Sequence, residues 1–167
     1  MKDLIIEADE LEETLSQHRV FDCRFSLTDI ALGRRQYQQG HIPTAEYFDL
    51  DLHLSGNKKE IGGRHPLPEL ETFAQTLANV GINKTSSVVV YDNNKFAYAC
   101  RTWWLLRSAG IKKVRVLNGG YNAWTNGVRK VDDSVSLSIP DHSPTEIARW
   151  ELPIVSFSDV CDAIKKQ

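Results

Sequence analysis

The chain has 167 residues, 41% of them apolar and 25% charged, with 20 basic against 22 acidic side chains. This is the composition of one globular domain with an ordinary core, which excludes a disordered, collagenous or coiled-coil chain. A formal net charge of −2 lacks the basic field of a non-specific nucleic-acid binder, and no apolar run approaches the ~20 residues of a membrane span.

The N-terminus turns acidic at Glu7 after a short Leu4-Ile5-Ile6 run, which is not the pattern of a secretory leader. Cys23, Cys100 and Cys161 are odd in number and far apart, as expected of free thiols in a reducing cytoplasm. No cysteine or histidine cluster has zinc spacing, so neither a structural metal nor a cofactor is expected. Asp9 is the expected N-cap of a first helix reaching Gln17, with Leu11 and Leu15 on one face. Arg19-Val20-Phe21-Asp22 reads as a strand. A short helix over 32–39 stops at Gly40, and Pro43 fixes the turn that follows, ahead of a short strand at 46–48. The glycines and prolines of 55–68 forbid long regular elements.

Leu70, Phe73, Ala74 and Leu77 give a helix over 69–80 an apolar face, closed by Gly81. Val88-Val89-Val90-Tyr91 is a β-branched run suited to a strand buried on both faces. A polar loop at 92–95 leads into a helix over 96–109, followed by a strand at 113–117. Gly119-Gly120 then turns into a short helix around Trp124, and alternation at 135–139 suggests an edge strand. Strands alternating with helices predict an α/β fold, a parallel sheet covered on both faces, with ligands beyond the carboxyl ends of the strands.

The segment 154–164 runs in phase with 5–15: apolar positions coincide at 5/154, 6/155, 11/160 and 15/164, and a cap candidate at 9/158. The expected organisation is a domain over 1–150 and, over 151–167, a linker and the start of a second, homologous domain absent from this chain.

Four stretches resemble the rhodanese-like sulfurtransferases: Val20-Phe21-Asp22-Cys23-Arg24, Gly40-His41-Ile42-Pro43-Thr44-Ala45, Val89-Val90-Tyr91-Asp92, and the run from Val116 to Trp124 through Gly119-Gly120-Tyr121. His65-Pro66-Leu67-Pro68 and the run from Arg101 to Arg107 look like the N-terminal half of the tandem thiosulfate and 3-mercaptopyruvate sulfurtransferases. The resemblance implies a five-stranded parallel sheet. It also implies a catalytic cysteine opening the loop after the central strand, where converging amides lower the thiol pKa and hold a persulfide.

Here that position is Asp92, and a carboxylate cannot carry sulfane sulfur. In the tandem family the N-terminal domain commonly has Asp there and does no chemistry. The resemblance thus implies no catalytic residue in this chain, a pseudo-active-site loop of Asp92, Asn93, Asn94, Lys95 and Phe96, and a missing second domain as partner. A small anionic sulfur donor would be shared between the two. Arg64, His65 and Arg101 are candidate interface or anion contacts.

Taken residue by residue, Asp92 is a helix cap bonding loop amides rather than an aspartyl nucleophile, because Asn94 stands where a phosphatase-type site wants a second Asp. Asp22, Arg24, His41, Pro43, Gly119, Gly120 and Trp124 read as structural, with Asp22 and Arg24 pinning the turn at 40–43. Cys100 is expected to be buried and inert, and Cys23, at a strand end on the ligand side, is read as structural. Trp103 and Trp104 are expected in the core. The rival function is a stand-alone inactive module binding a protein or an anion.

Overall fold

The computed structural model describes residues 4–58, 60, 63–93, 95–134 and 146–166. The elements run β1 (Ile5–Ile6), α1 (Ala8–Thr14), a 3-10 turn (Leu15–Gln17), β2 (Arg19–Asp22), α2 (Leu32–Gln39), β3 (Glu46–Tyr47), α3 (Leu70–Asn79), β4 (Ser87–Tyr91), α4 (Ala97–Ser108), β5 (Lys113–Leu117), α5 (Gly120–Thr125) and α6 (Phe157–Lys165). The strands form one five-stranded sheet in the order β1-β5-β4-β2-β3, and every pairing is parallel. This is the expected α/β fold with helices on both faces. The strand alternation expected at 135–139 falls outside the described residues.

The period of two along each strand divides the core into two layers. Val88 and Val90 of β4 and Val114 and Val116 of β5 join Phe21, Phe73, Leu77, Leu105 and Leu106 on the α3/α4 face. Val89, Tyr91, Val20 and Leu117 point the other way, to Ile6, Leu11, Ile42 and Trp124 on the α1/α5 face. A central strand with both faces buried carries apolar residues at successive positions, so β4 reads Val-Val-Val-Tyr.

Two sequence expectations are corrected. Asp9 is not an N-cap: α1 starts at Ala8 directly after the strand, with Glu7 in extended conformation before it, so Asp9 lies in the first turn. There it favours the helix dipole and pairs with Arg129. Cys100 is exposed rather than buried, because the inward face of α4 is made by Tyr98, Ala99, Thr102, Leu105 and Leu106.

The tail has a separate character. After Trp150, which packs near Phe73 and Trp104, the chain enters α6. This helix opens with a reciprocal capping box between Ser156 and Asp159 and buries none of its residues. Phe157 is 85% exposed and Ile164 66%.

Candidate functional site

The sheet's carboxyl edge carries a buried charge network that fixes the turn before β3. Arg24 Nε donates to both carboxylate oxygens of Asp22 at 3.0 and 2.8 Å, and Arg24 Nη2 donates to Asp22 Oδ2 and, at 2.7 Å, to the Gly40 carbonyl. The Tyr91 hydroxyl donates to Asp22 Oδ2 at 2.9 Å and accepts from the Ile42 amide at 3.2 Å. Asp22 is fully buried and Arg24 nearly so. Burial pushes the Asp22 carboxyl up, and the bonds from Arg24 oppose that push. Burial also carries the Tyr91 hydroxyl well above its ordinary range, with Asp22 adding to it. Arg24 lies over the Tyr121 ring at 4.1 Å. His41 is buried and stacked on Tyr37 at 3.9 Å, with Nδ1 bonding the Tyr37 carbonyl at 2.7 Å. Pro43 follows Ile42 in the same turn, and Trp124 is buried with its Nε1 donating to the Lys130 carbonyl.

Directly after β4 the loop curls back on the Asp92 side chain. Oδ1 accepts from the Phe96 amide at 3.1 Å, and Oδ2 accepts from the Tyr98 and Ala99 amides at 2.8 Å each. The last two are first-turn donors of α4 that no intrahelical carbonyl can satisfy, so a carboxylate there completes the helix and favours its dipole. The curl places Lys95 and Phe96 in the left-handed region, at φ 53° and 69°. From the other side the α5 turn closes on the same residue: the Tyr121 amide donates to the Asp92 carbonyl at 3.1 Å. A Cβ at Gly120 would lie 1.9 Å from that carbonyl oxygen. Gly119 and Gly120 both have positive φ, which lets the turn pass so close.

The loop residues therefore divide. Asp92 is 1% exposed, Asn93 and Lys95 are exposed, and Phe96 is half-buried. Asn94 lies outside the described residues.

The three candidate interface residues separate as well. Arg101 is not available to an anion. Its guanidinium donates to the carbonyls of Leu54, His65 and Pro66, tying these residues to α4. His65 and Arg64 line a hollow of about 150 Å³ together with Phe25, Leu27, Asp51 and Lys58. His65 Nε2 lies 3.0 Å from Asp51 Oδ1. Phe25 meets Tyr98 edge-on at 5.6 Å, so the hollow adjoins the Asp92 loop. Asp51, Lys58 and the Tyr91 hydroxyl were missed by sequence reasoning. Only Asp51, acidic beside an apolar turn, carries a local signal.

Neither strand-end nor helix thiol meets converging amides. Cys23 is buried beneath α4, where the Thr102 hydroxyl donates to its sulfur at 3.2 Å. Burial raises its pKa well above the usual thiol range, with Asp22 and Asp92 adding to the rise. Cys100 is raised by partial burial and by Asp92. Among the described residues, no group of His, Cys, Asp or Glu could hold a metal ion, and no helix is long and apolar enough to cross a membrane.

The rhodanese-like domain model matches residues 7–127. The "Probable 3-mercaptopyruvate sulfurtransferase" of Pseudomonas aeruginosa is 42% identical over 124 residues, 72% of this chain and 44% of that protein. The 3-mercaptopyruvate sulfurtransferase of Escherichia coli K12 is 39% identical over 90 residues, 54% of this chain and 31% of its own length. Among solved structures, SseA from Escherichia coli superposes with a TM-score of 0.84 at 28% identity, covering 97% of this chain and 62% of that one. The chain thus spans less than half the length of these curated relatives.

Proposed function

The chain belongs to the rhodanese-like domain family, and from that premise we propose that it is the N-terminal, non-catalytic half of a two-domain sulfurtransferase. The complete enzyme would move sulfane sulfur from thiosulfate or 3-mercaptopyruvate to a thiophilic acceptor. Its persulfide cysteine would stand in the second, rhodanese-like half. The observation that carries this reading is the Asp92 carboxylate seated on the Phe96, Tyr98 and Ala99 amides. A thiolate nucleophile is needed at that place for sulfur transfer, and a carboxylate forms no persulfide.

Two features support it. The relatives are sulfurtransferases more than twice as long as the matched segment. The tail repeats the first strand–helix unit in sequence, yet exposes the residues that α1 buries. In this reading Asn93, Lys95 and the half-buried Phe96 face the second domain. Arg64, His65 and Lys58 form a basic rim that draws the anionic donor toward the shared cleft. Three free cysteines suit a reducing compartment such as the cytoplasm.

The test is direct. The 167-residue chain should show negligible thiosulfate:cyanide activity, and the reading frame should continue past Gln167 into a strand and a cysteine-initiated loop. Turnover that survives Cys23→Ala with Cys100→Ala would refute the assignment. A gain of about 32 Da, one sulfur atom, on either cysteine after thiosulfate treatment would move the chemistry into this domain. A stop codon after Gln167 would favour the rival, an inactive module. The hollow lined by Arg64, Lys58 and His65 is the feature that would suit it to binding an anion.

A further inference from the structure

We propose that the cavity between α4 and the β1 edge of the sheet binds a small, neutral, aromatic molecule. The assignment stands independently of the two-domain reading. The cavity lies at the β1–β5 end of the sheet, whereas the Arg64 hollow is lined by Phe25, which follows β2.

The cavity follows from how two elements divide their apolar residues. β1 is the outermost strand and pairs with β5 alone. Successive strand residues face opposite sides, so with Ile6 in the α1/α5 layer, Ile5 turns to the side of α4. Ile5 is 41% exposed there, and Leu4 before it 43%. Helix α4 turns Tyr98, Ala99, Thr102 and Leu105 into the core. Phe96, Cys100 and Trp103, spaced by four and three, make a second stripe on another side of the helix. Between that stripe and Leu4 and Ile5 lie about 300 Å³ of open space, with Val116 and Asn118 completing the lining. Pockets that hold small molecules begin at about this size. A dry apolar cavity of about 150 Å³ already admits a benzene ring. The walls stand on or directly beside β1, β5 and α4, so the site is formed before anything enters it.

Charge and hydrogen bonding select the occupant. None of the lining residues is charged. Their polar groups are already engaged. Trp103 Nε1 donates to the Val114 carbonyl at 3.0 Å, and Asn118 Nδ2 donates to Glu7 Oε1 at 2.9 Å. The amides of Cys100, Val116 and Asn118 donate to the carbonyls of Phe96, Leu4 and Ile6. A charged ligand would lose its hydration here and find no partner, whereas a neutral one gains from the apolar surface buried on both sides. Phe96 and Trp103 offer rings for stacking or edge contact, which favours an aromatic ligand over an aliphatic one. Two other hollows have the opposite character, with Asp51, Lys58 and Arg64 in one and Lys84, Glu146 and Arg149 in the other. Cys100 serves as wall rather than nucleophile, since partial burial and then Asp92 raise its thiol.

The experiment titrates the 167-residue chain with indole, and with indole-2-carboxylate as its charged counterpart. The readouts are the NMR shifts of the Ile5 and Val116 amides and the Trp103 ring N–H, and the rate at which iodoacetamide alkylates Cys100. Cys161, on α6, is the internal reference. Saturating indole should shift those signals and slow alkylation of Cys100 at least about fivefold, leaving Cys161 unchanged. Indole-2-carboxylate should do neither. Ile5→Lys, which puts a charge in the lining, and Cys100→Leu, which fills the space, should each abolish the indole shifts once a native spectrum shows that the variant folds. Should neither fold, the contrast between the two ligands and between the two thiols in the wild-type chain decides. The proposal is overturned by the absence of saturable shifts up to the solubility limit of indole, or by an equal response to the carboxylate. Shifts that persist in a folded variant overturn it too, as does equal slowing at Cys161. Protection of Cys100 that grows with protein concentration in the absence of indole would mean that a second copy fills the groove, which also overturns it. Sulfur transfer is not a readout, so none of these results bears on the two-domain reading.

Discussion

The buried pair of Asp22 and Arg24 shows how a charge can serve as scaffold. Arg24 satisfies Asp22 and also reaches the Gly40 carbonyl, so one guanidinium ties the end of β2 to the turn before β3. Replacing Arg24 with Met would leave a fully buried carboxylate without its cation, at a cost of about 3–5 kcal/mol read from urea unfolding. Two histidines make stability depend on pH. His18 and His53 titrate below the ordinary value of 6.5, burial being the largest cause in each. The unfolded chain therefore takes up protons before the folded one, and stability present above pH 6.5 is lost as the pH falls through it. His53→Asn keeps an acceptor for the Asp49 amide that Nδ1 now takes but cannot titrate. Its urea midpoint should fall less than that of wild type between about pH 7.5 and about pH 5.5. At this scale the sequence was legible where chemistry is local, as in the spacing of Asp22 and Arg24. Arg101 was illegible because its partners are backbone carbonyls 35 and more residues away. Cys100 was misjudged because a place inside a helix was taken for an inward position; it lies one step around the helix from the buried Ala99.

Elements were legible in proportion to their burial. β4 announces itself as a β-branched run because both of its faces are covered, β5 by Val114 and Val116 alternating with Lys113 and Arg115, and α3 because one of its faces is not covered. β3 was legible as a short strand at 46–48 and is two residues long, but its register follows only from the backbone pairings of Phe21 with Glu46 and Asp22 with Tyr47. The start of α1 was misplaced for a related reason: Glu7, the N-cap, makes no side-chain cap bond and is not a favoured capping type, so the search for a cap settled on Asp9. The junction of β4, α4 and α5 rests on one close approach. Gly120→Ala would drive a Cβ to 1.9 Å from the Asp92 carbonyl oxygen at a φ of 58°. The turn must move or the loop must open, and the unfolding free energy should drop by about 2–4 kcal/mol. In the same variant, amide exchange should quicken first at Tyr98 and Ala99, whose amides Asp92 now accepts. Uniform quickening across all five strands would show that Gly120 supports the whole sheet rather than this junction.

Across the whole molecule the first strand–helix unit and the tail have similar sequences and opposite fates. Ile6 and Leu11 are fully buried on the α1/α5 face, whereas their counterparts Val155 and Val160 are 69% and 46% exposed. The likeness invites the idea that the tail of one copy replaces the first unit of another. Packing argues against it, since Phe157 would occupy the place of Ala8. Ala8 is only 8% exposed and lies in a layer already filled by Val20, Leu117 and Trp124. A phenyl ring there would force the sheet and α1 apart, which costs more than the tail gains. The α6 face must then be covered by different chain or remain bare, and the two cases separate experimentally. In the 167-residue chain, replacing Phe157, Val160 and Ile164 together with Ser should leave the urea midpoint unchanged, because none of these side chains is buried. Leu11→Ala in α1 should cost about 2–5 kcal/mol. The same triple replacement in a chain extended past Gln167 should destabilise the added part by a comparable amount, as α6 would then lie on a second sheet. Destabilisation already present in the shorter chain, growing with protein concentration, would instead mean that a second copy covers the helix.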